Sequence, residues 1–291
     1  MQGTSASPQR LNAAQRSAHI RQVVLAKGVE LRQRYPVLNH QDALGAGILA
    51  FALAGMIGSA VLYIEGYMAW WVCLLLNAFF ASLTHELEHD LIHSMYFRKQ
   101  RVPHNLMMGL VWLARPSTIN PWIRRHLHLN HHKVSGTETD MEERAITNGE
   151  PWGFARLLMI GDNMMSSFIR MLRARTWAQK FSIIHRTLKV YAPLALMHWG
   201  AWYVFLGFHA ANGIAYLMGT PIEWSATTLS VMNVIDIAAV VIIGPNVLRT
   251  FCLHFISSNM HYYGDIEPGN VMQQCQVLNA RWLWPLQAFC F

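Results

Sequence analysis

Residues 43–64 (ALGAGILAFALAGMIGSAVLYI) contain no charged side chain. At about 1.5 Å per residue, a helix of that length crosses a hydrocarbon core of about 30 Å. A short turn at Glu65, Gly66 and Tyr67 leads into 68–84 (MAWWVCLLLNAFFASLT), a second apolar stretch that rises about 26 Å and returns the chain to the side it left. Further on, 191–219 holds no Lys, Arg, Asp or Glu, and 225–247 holds only Asp236. These two form a second antiparallel pair joined by GTPIEWS. The pattern predicts an all-α integral membrane protein with four transmembrane helices. The apolar run 106–113 is too short to cross and is expected to be interfacial or re-entrant. Residues 1–40 lack the apolar core of a signal peptide and form a basic segment on the untranslocated side. Within it Ile20, Val23, Val24, Lys27 and Leu31 suit a cationic helix lying on an anionic membrane surface, with an unstructured tail as the alternative.

Composition agrees with the patterning. Of 291 residues, 53% are hydrophobic and only 13% charged, against about 25% charged in soluble domains. The net charge of +7 would suit nucleic acid on a soluble fold, but its placement argues otherwise. The turns at 65–67 and 220–224 contain no Lys or Arg, whereas the early and middle basic residues lie in the N-terminal segment, in 98–190 and at Arg249. By the positive-inside rule these regions are cytoplasmic, so the charge serves topology and anionic headgroups, and no nucleic-acid partner is expected. Cys73, Cys252, Cys275 and Cys290 are far apart and suggest neither a disulfide framework nor a thiolate metal site. Nothing divides 41–291, which reads as one membrane domain.

Histidine is where the chemistry concentrates. After the second span, THELEHDLIHSMYF places His85, His89 and His93 at every fourth residue, on one helical face that can grip a metal ion or cap the membrane interface. RRHLHLNHHKVSG adds His128, His131 and His132 at i, i+3 and i+4, with adjacent imidazoles splayed by about 100° so that two ions come within reach. His126 is offset and is expected to support the site or face solvent. A third segment, FCLHFISSNMHYYGD, carries His254 and His261 roughly on one face, with Asn259 as a water-mediated ligand or a helix-end amide. His19, His40, His104 and His185 are expected at the surface or as satisfied polar groups. His198 and His209 lie within a span and are expected to pair with Asp236, since an intramembrane ionisable group needs a partner. One zinc ion needs three or four ligands, so six or more imidazoles point to two metals, with redox-active iron as well as zinc suited to an open imidazole site.

These segments resemble the integral-membrane fatty acid desaturases and the related alkane monooxygenases and carotenoid ketolases. HELEHD at 85–90 resembles their first histidine box, HLNHH at 128–132 their second, HxxHH, and HYYG at 261–264 a further segment found in some branches. The resemblance implies a non-haem di-iron centre that uses O2 and two electrons to attack an unactivated C–H bond of a lipid or acyl chain. The electrons would come from a separate ferredoxin, rubredoxin or cytochrome b5 type donor. It assigns His85, His89, His128, His131, His132 and His261 as iron ligands, and Glu86, Glu88 and Asp140 as carboxylates holding imidazole N–H groups. His93, His126, His254 and Asn259 are further candidates for the site. Desaturation is the expected reaction, with hydroxylation or ketolation as alternatives. No histidine follows His261, and the chain ends in the apolar RWLWPLQAFCF, so the third box of the family is expected to be lost by C-terminal truncation, with two or three ligands missing and full activity not expected of these 291 residues alone. A rival from another class is an intramembrane zinc metalloprotease, since His85-Glu86-Leu87-Glu88-His89 satisfies HExxH.

Overall fold

The computed structural model describes residues 12–260, 280–287 and 289, and among these every regular element is helical. α1 (Ala13–Arg34) opens on a capping box between Asn12 and Gln15 and leaves Ile20, Val23, Val24 and Leu25 exposed. α2 (Gln41–Ile64) and α3 (Trp70–Ile92) form an antiparallel hairpin. Short helices follow: α4 (Arg101–Ala114), α5 (Pro121–Val134), α6 (Met141–Ala145), α7 (Phe154–Gly161), α8 (Asn163–Arg173) and α9 (Trp177–Tyr191). A second pair consists of α10 (Leu194–Leu217) and a continuous helix made of α11 (Ala226–Ala238), a π-helical turn (Ala239–Ile243) and α12 (Gly244–Met260). A last short helix, α13 (Trp284–Gln287), packs on α12.

Two helices are long and apolar enough to cross a membrane, Gln41–Ile64 and Ala226–Met260. The other two expected spans also form long helices, of 23 and 24 residues, but α3 carries HELEHD in its last turns and α10 carries the polar His198, His209 and Asn212 among its apolar residues. α4 extends the short 106–113 run to fourteen residues packed against α3.

Buried positions on α2 are Gly45, Leu49, Ala52, Met56 and Ser59, a three-and-four spacing that makes one narrow stripe against α3. Small residues let the helices approach: a Cβ on Gly55 would stand 2.3 Å from the Phe80 ring. A buried polar knot joins α2, α3 and α12. Pro245 has no N–H to offer the carbonyl of Val241 one turn earlier. Asn77 of α3 donates from Nδ2 to that carbonyl at 2.7 Å, and its Oδ1 accepts a short hydrogen bond from Ser59. The π-turn therefore sits where the ordinary ladder has lost a donor, and a side chain from the neighbouring helix replaces it. Gly244 admits the tight turn, since a Cβ there would meet the Ala239 carbonyl at 2.6 Å.

Of the two histidines expected within a span, His209 pairs with Asp236 at 2.8 Å as expected. His198 does not. It is buried against Trp199, and neither ring nitrogen has a hydrogen-bond partner among the described residues.

Candidate metal centre

Helix geometry brings the histidines together at the end of α3. His89 lies in its last turn and His93 is its C-cap residue. α5 begins at an Asn120 cap whose side chain accepts from the Trp122 and Ile123 amides, with Pro121 in its first turn. It is held to the end of α3 by Arg125, which donates to Ser94 Oγ at 2.5 Å. His128 and His132, one turn apart on α5, then face His89 and His93. The Nε2 atoms of His93, His128 and His132 stand 3.1 Å from one another, and the His89 ring packs 4.8 and 4.9 Å, centroid to centroid, from His93 and His128. Metal-capable nitrogens of all four lie within 4.8 Å of each other.

His131 points elsewhere, because it is offset by about 100° from His132 around α5. Its Nδ1 meets Asp140 Oδ2 at 2.7 Å. Asp140 is also the N-cap of α6, accepting through Oδ1 from the Glu142 and Glu143 amides. With Glu143 these form a second, fully buried group of possible ligands. The bond to Asp140 orients the His131 ring, which also lines the cavity. Burial alone would push His131 down, but the bond to Asp140 and the carboxylates of Glu142 and Glu143 raise its pKa.

Glu142 and Glu143 were not among the expected site residues. Glu142 accepts from His128 Nδ1 at 2.8 Å. Burial alone would raise its pKa, but the His128 bond and the Arg124 charge together hold it at about 2. An ionised carboxylate can only accept, so the His128 proton is on Nδ1 and its Nε2 presents a lone pair to the other imidazoles. Glu143 is driven the other way, to about 7, by burial that its Asn148 hydrogen bond only partly offsets. His132 is depressed to about 4, first by burial and then by the neighbouring imidazoles, so it is neutral at pH 7. The signal for the missed pair was available in TETDMEER, an acidic cluster within a basic connection just after HLNHH.

The remaining expected residues occupy other positions. His85 is buried on α3, where its Nδ1 accepts from Arg115 Nη1 at 2.9 Å. In the neutral ring Nε2 then carries the proton. Glu88 is fully buried, in a close ion pair with Arg115 and 3.2 Å from Arg124, so it serves guanidinium groups rather than an imidazole. Glu86 is partly buried and belongs to neither cluster; His126 is exposed. His254 meets the Ile160 carbonyl at 3.2 Å, and Asn259 donates to that of Phe255 at 2.6 Å. His261 lies outside the described residues. A cavity of about 260 Å³ joins the two clusters, lined by His85, His89, His128, His131 and His254, by Arg115, Arg124 and Arg249, and by apolar Ile119, Leu127, Leu253 and Met260.

The fatty acid desaturase family model matches residues 65–291, which include both histidine clusters and the cavity. The chain belongs to the fatty acid desaturase family. No curated protein and no solved structure matches it. As a desaturase-like oxidoreductase it comes from a family with di-iron sites, and its donor set can be tested against that requirement.

The three mutual 3.1 Å contacts cannot all be hydrogen bonds, because a ring N–H points at one acceptor. At metal–nitrogen distances of about 2.0–2.1 Å, nitrogens at a right angle lie about 2.9 Å apart and at the tetrahedral angle about 3.4 Å. The observed separation falls between these values. A cation among His93, His128 and His132 would satisfy lone pairs that otherwise repel, so the desaturase-family residues fit a bound metal.

Proposed function

We propose that the chain is an O2-dependent di-iron oxidoreductase acting on a long hydrocarbon chain, with fatty acyl desaturation as its reaction. The observation that carries this reading is the set of converging imidazole nitrogens on α3 and α5, opening on a partly apolar cavity. His89, His93, His128 and His132 would hold one iron. His131 would serve the second, with His261 as the resemblance implies, and His85 joins only if Arg115 releases its Nδ1. When bound, the irons supply O2 activation and removal of hydrogen from an unactivated C–H bond.

The chain's own residues do the rest. Glu142 fixes the tautomer of His128 and Asp140 that of His131, which sets the lone pairs toward the ions. Glu143, near 7, can hold or release a proton beside the cavity at neutral pH. Leu127, Ile119, Leu253 and Met260 offer the apolar wall against which a hydrocarbon packs and from which water is excluded. Electrons would come from a separate ferredoxin, rubredoxin or cytochrome b5 type protein. Four membrane crossings, with the N-terminus and metal centre on the cytoplasmic side, would bring lipid and soluble donor to the same site.

The metalloprotease alternative needs His85 and His89 on one ion, whereas His89 meets His93 and His128 and His85 rests on Arg115. Metal analysis of the purified protein, followed by lipid product analysis with O2 and a reductant, tests the proposal. In a protein that also carries the third histidine box, iron and a new carbon–carbon double bond are expected, with both lost in His128→Ala and His132→Ala and retained in His40→Ala. A hydroxylated or keto product would move the reaction within the superfamily. Stoichiometric zinc with reductant-independent proteolysis would overturn the reading.

A further inference from the structure

The hairpin of α8 and α9 has two opposite faces that the metal centre does not use. Residues 163–191 contain no Asp or Glu, while Arg170, Arg173, Arg175, Lys180, Arg186 and Lys189 all lie there. Arg170, Arg173 and Arg186 rim an open groove with Gln179 and Ser182, and its one carboxylate is Glu150, 3.6 Å from Arg170 and 2.6 Å from Arg173. Three guanidinium groups against one carboxylate leave the groove positive. At about 100° per residue, Gln179, Ser182 and Arg186 share one side of α9, and the exposed Trp177, Phe181, Ile184 and Leu188 share the opposite side. α8 divides in the same way, with Arg170 and Arg173 on one side and the exposed Phe168 and Leu172 on the other. Only Ala192 and Pro193 separate α9 from α10, so the apolar side lies at the level where α10 enters the membrane. With that side in the leaflet, the groove opens the other way, to water. The groove is also tied to the histidines. Arg170 Nη2 donates to the Arg144 carbonyl of α6 at 2.5 Å, and Glu142 of α6 accepts from His128. Glu142 and Arg144 are separated by only about 3 Å of helix rise. The Val190 carbonyl accepts from the Asn120 amide at 2.9 Å, which fixes α9 to the start of the histidine-bearing α5.

We propose that this groove is the docking site of an acidic one-electron carrier protein, whose surface carboxylates meet Arg170, Arg173 and Arg186 and whose redox group then lies against α6, beside the histidine-bearing α5. Electron-transfer encounters use small, polar surfaces, and opposite charge raises their association rate without a large buried interface. Each encounter oxidises one reduced carrier and delivers one electron to the bound metal, so two encounters supply the two electrons. The inference rests on α10 crossing the membrane and on the redox reading of the metal centre, and it assigns the separate electron donor a place on the chain.

The test places the full chain in nanodiscs of phosphatidylcholine, whose neutral surface adds no net charge of its own. An acidic [2Fe–2S] ferredoxin, an acidic rubredoxin and cytochrome b5 are titrated onto it in turn, with iron content measured on the same samples. At least one carrier should bind, and its affinity should fall about tenfold or more between about 0.1 M and about 1 M salt, as the Debye length drops from about 10 Å to about 3 Å. Arg173→Glu with Arg186→Glu should weaken that binding about tenfold or more at the lower salt, by reversing the charge of the rim. Arg173→Lys with Arg186→Lys should keep most of it. Arg21→Glu with Arg32→Glu, the same change of net charge placed on α1, should leave it unchanged. Where iron is bound, the groove variant should slow its reduction by the carrier and leave its reduction by dithionite unaltered. Failure of all three carriers to bind would overturn the proposal. So would undiminished binding in the groove variant, or an equal loss in the α1 variant, since net charge rather than the groove would then be acting. Binding that depends on the groove in a protein without iron would count against the metal reading alone.

Discussion

At the scale of single residues, the site depends on carboxylates that set imidazole protons. Glu142→Gln replaces an acceptor-only group with an amide that no longer dictates which nitrogen of His128 carries the proton. Iron affinity is expected to fall about 10- to 100-fold with the fold retained, as measured by ferrous titration of the metal-free protein. Glu143 makes a different prediction. Its folded pKa of about 7 stands above the ordinary 4.5, so the native state holds the proton more tightly than the unfolded one. Stability is therefore lost as pH rises from about 4.5 to about 7, and the penalty is constant above that. Glu143→Gln should cancel it: the difference in unfolding free energy between variant and wild type, both metal-free, should grow across that window and then level off. A difference independent of pH would mean that Glu143 ionises normally. The spacing of His128, His131 and His132 was legible in the sequence because helical periodicity alone separates them. The preference of His89 for His93 over His85 was not, since all three share a face at four-residue spacing. The choice is made by Arg115, which occupies His85, and by where α5 crosses.

At the scale of elements, the long apolar helices were legible because a run without charge has few other readings, and α2 differs from the expected span only by Gln41 and Asp42. The π-turn was not legible, although Pro245 was visible, because its consequence depends on which neighbour supplies the missing donor. Asn77 does so, and that contact carries a prediction. Asn77→Leu preserves shape but leaves the Val241 carbonyl with no donor from α3, at a cost of about 1–3 kcal/mol in unfolding measurements in detergent. Pro245→Ala restores an N–H one turn along the helix. The double variant should therefore be less destabilised than the sum of the two single changes, the signature of coupled sites. Strict additivity would show that Asn77 acts through packing instead.

At the scale of the whole molecule, hydropathy singles out two crossing helices while the contacts couple them to two more. Phe97, just past the end of α3, donates its amide to Asp42 in the first turn of α2 at 2.7 Å. The start of α2 and the end of α3 are thus at the same level, and if α2 crosses, α3 must return. The second pair has the same logic. Trp199, near the start of α10, donates to the Ser117 carbonyl, and Asn246 of α12 to that of Ala114, so both ends meet the same short segment. Far from there, Trp224 donates to Asn212 at 2.8 Å and closes the other end. α3 and α10 hold polar residues that serve the histidine cluster or pairing, so hydropathy alone does not single them out. The two alternatives separate at Lys99. With four crossings, a membrane-impermeant maleimide applied outside sealed vesicles should label Tyr67→Cys and Met218→Cys, in a background without the native cysteines, and should reach Lys99→Cys only after permeabilisation. With two crossings the chain between α2 and α11 would stay outside, Lys99→Cys would label from outside like the other two, and the metal centre would face away from any cytoplasmic electron donor.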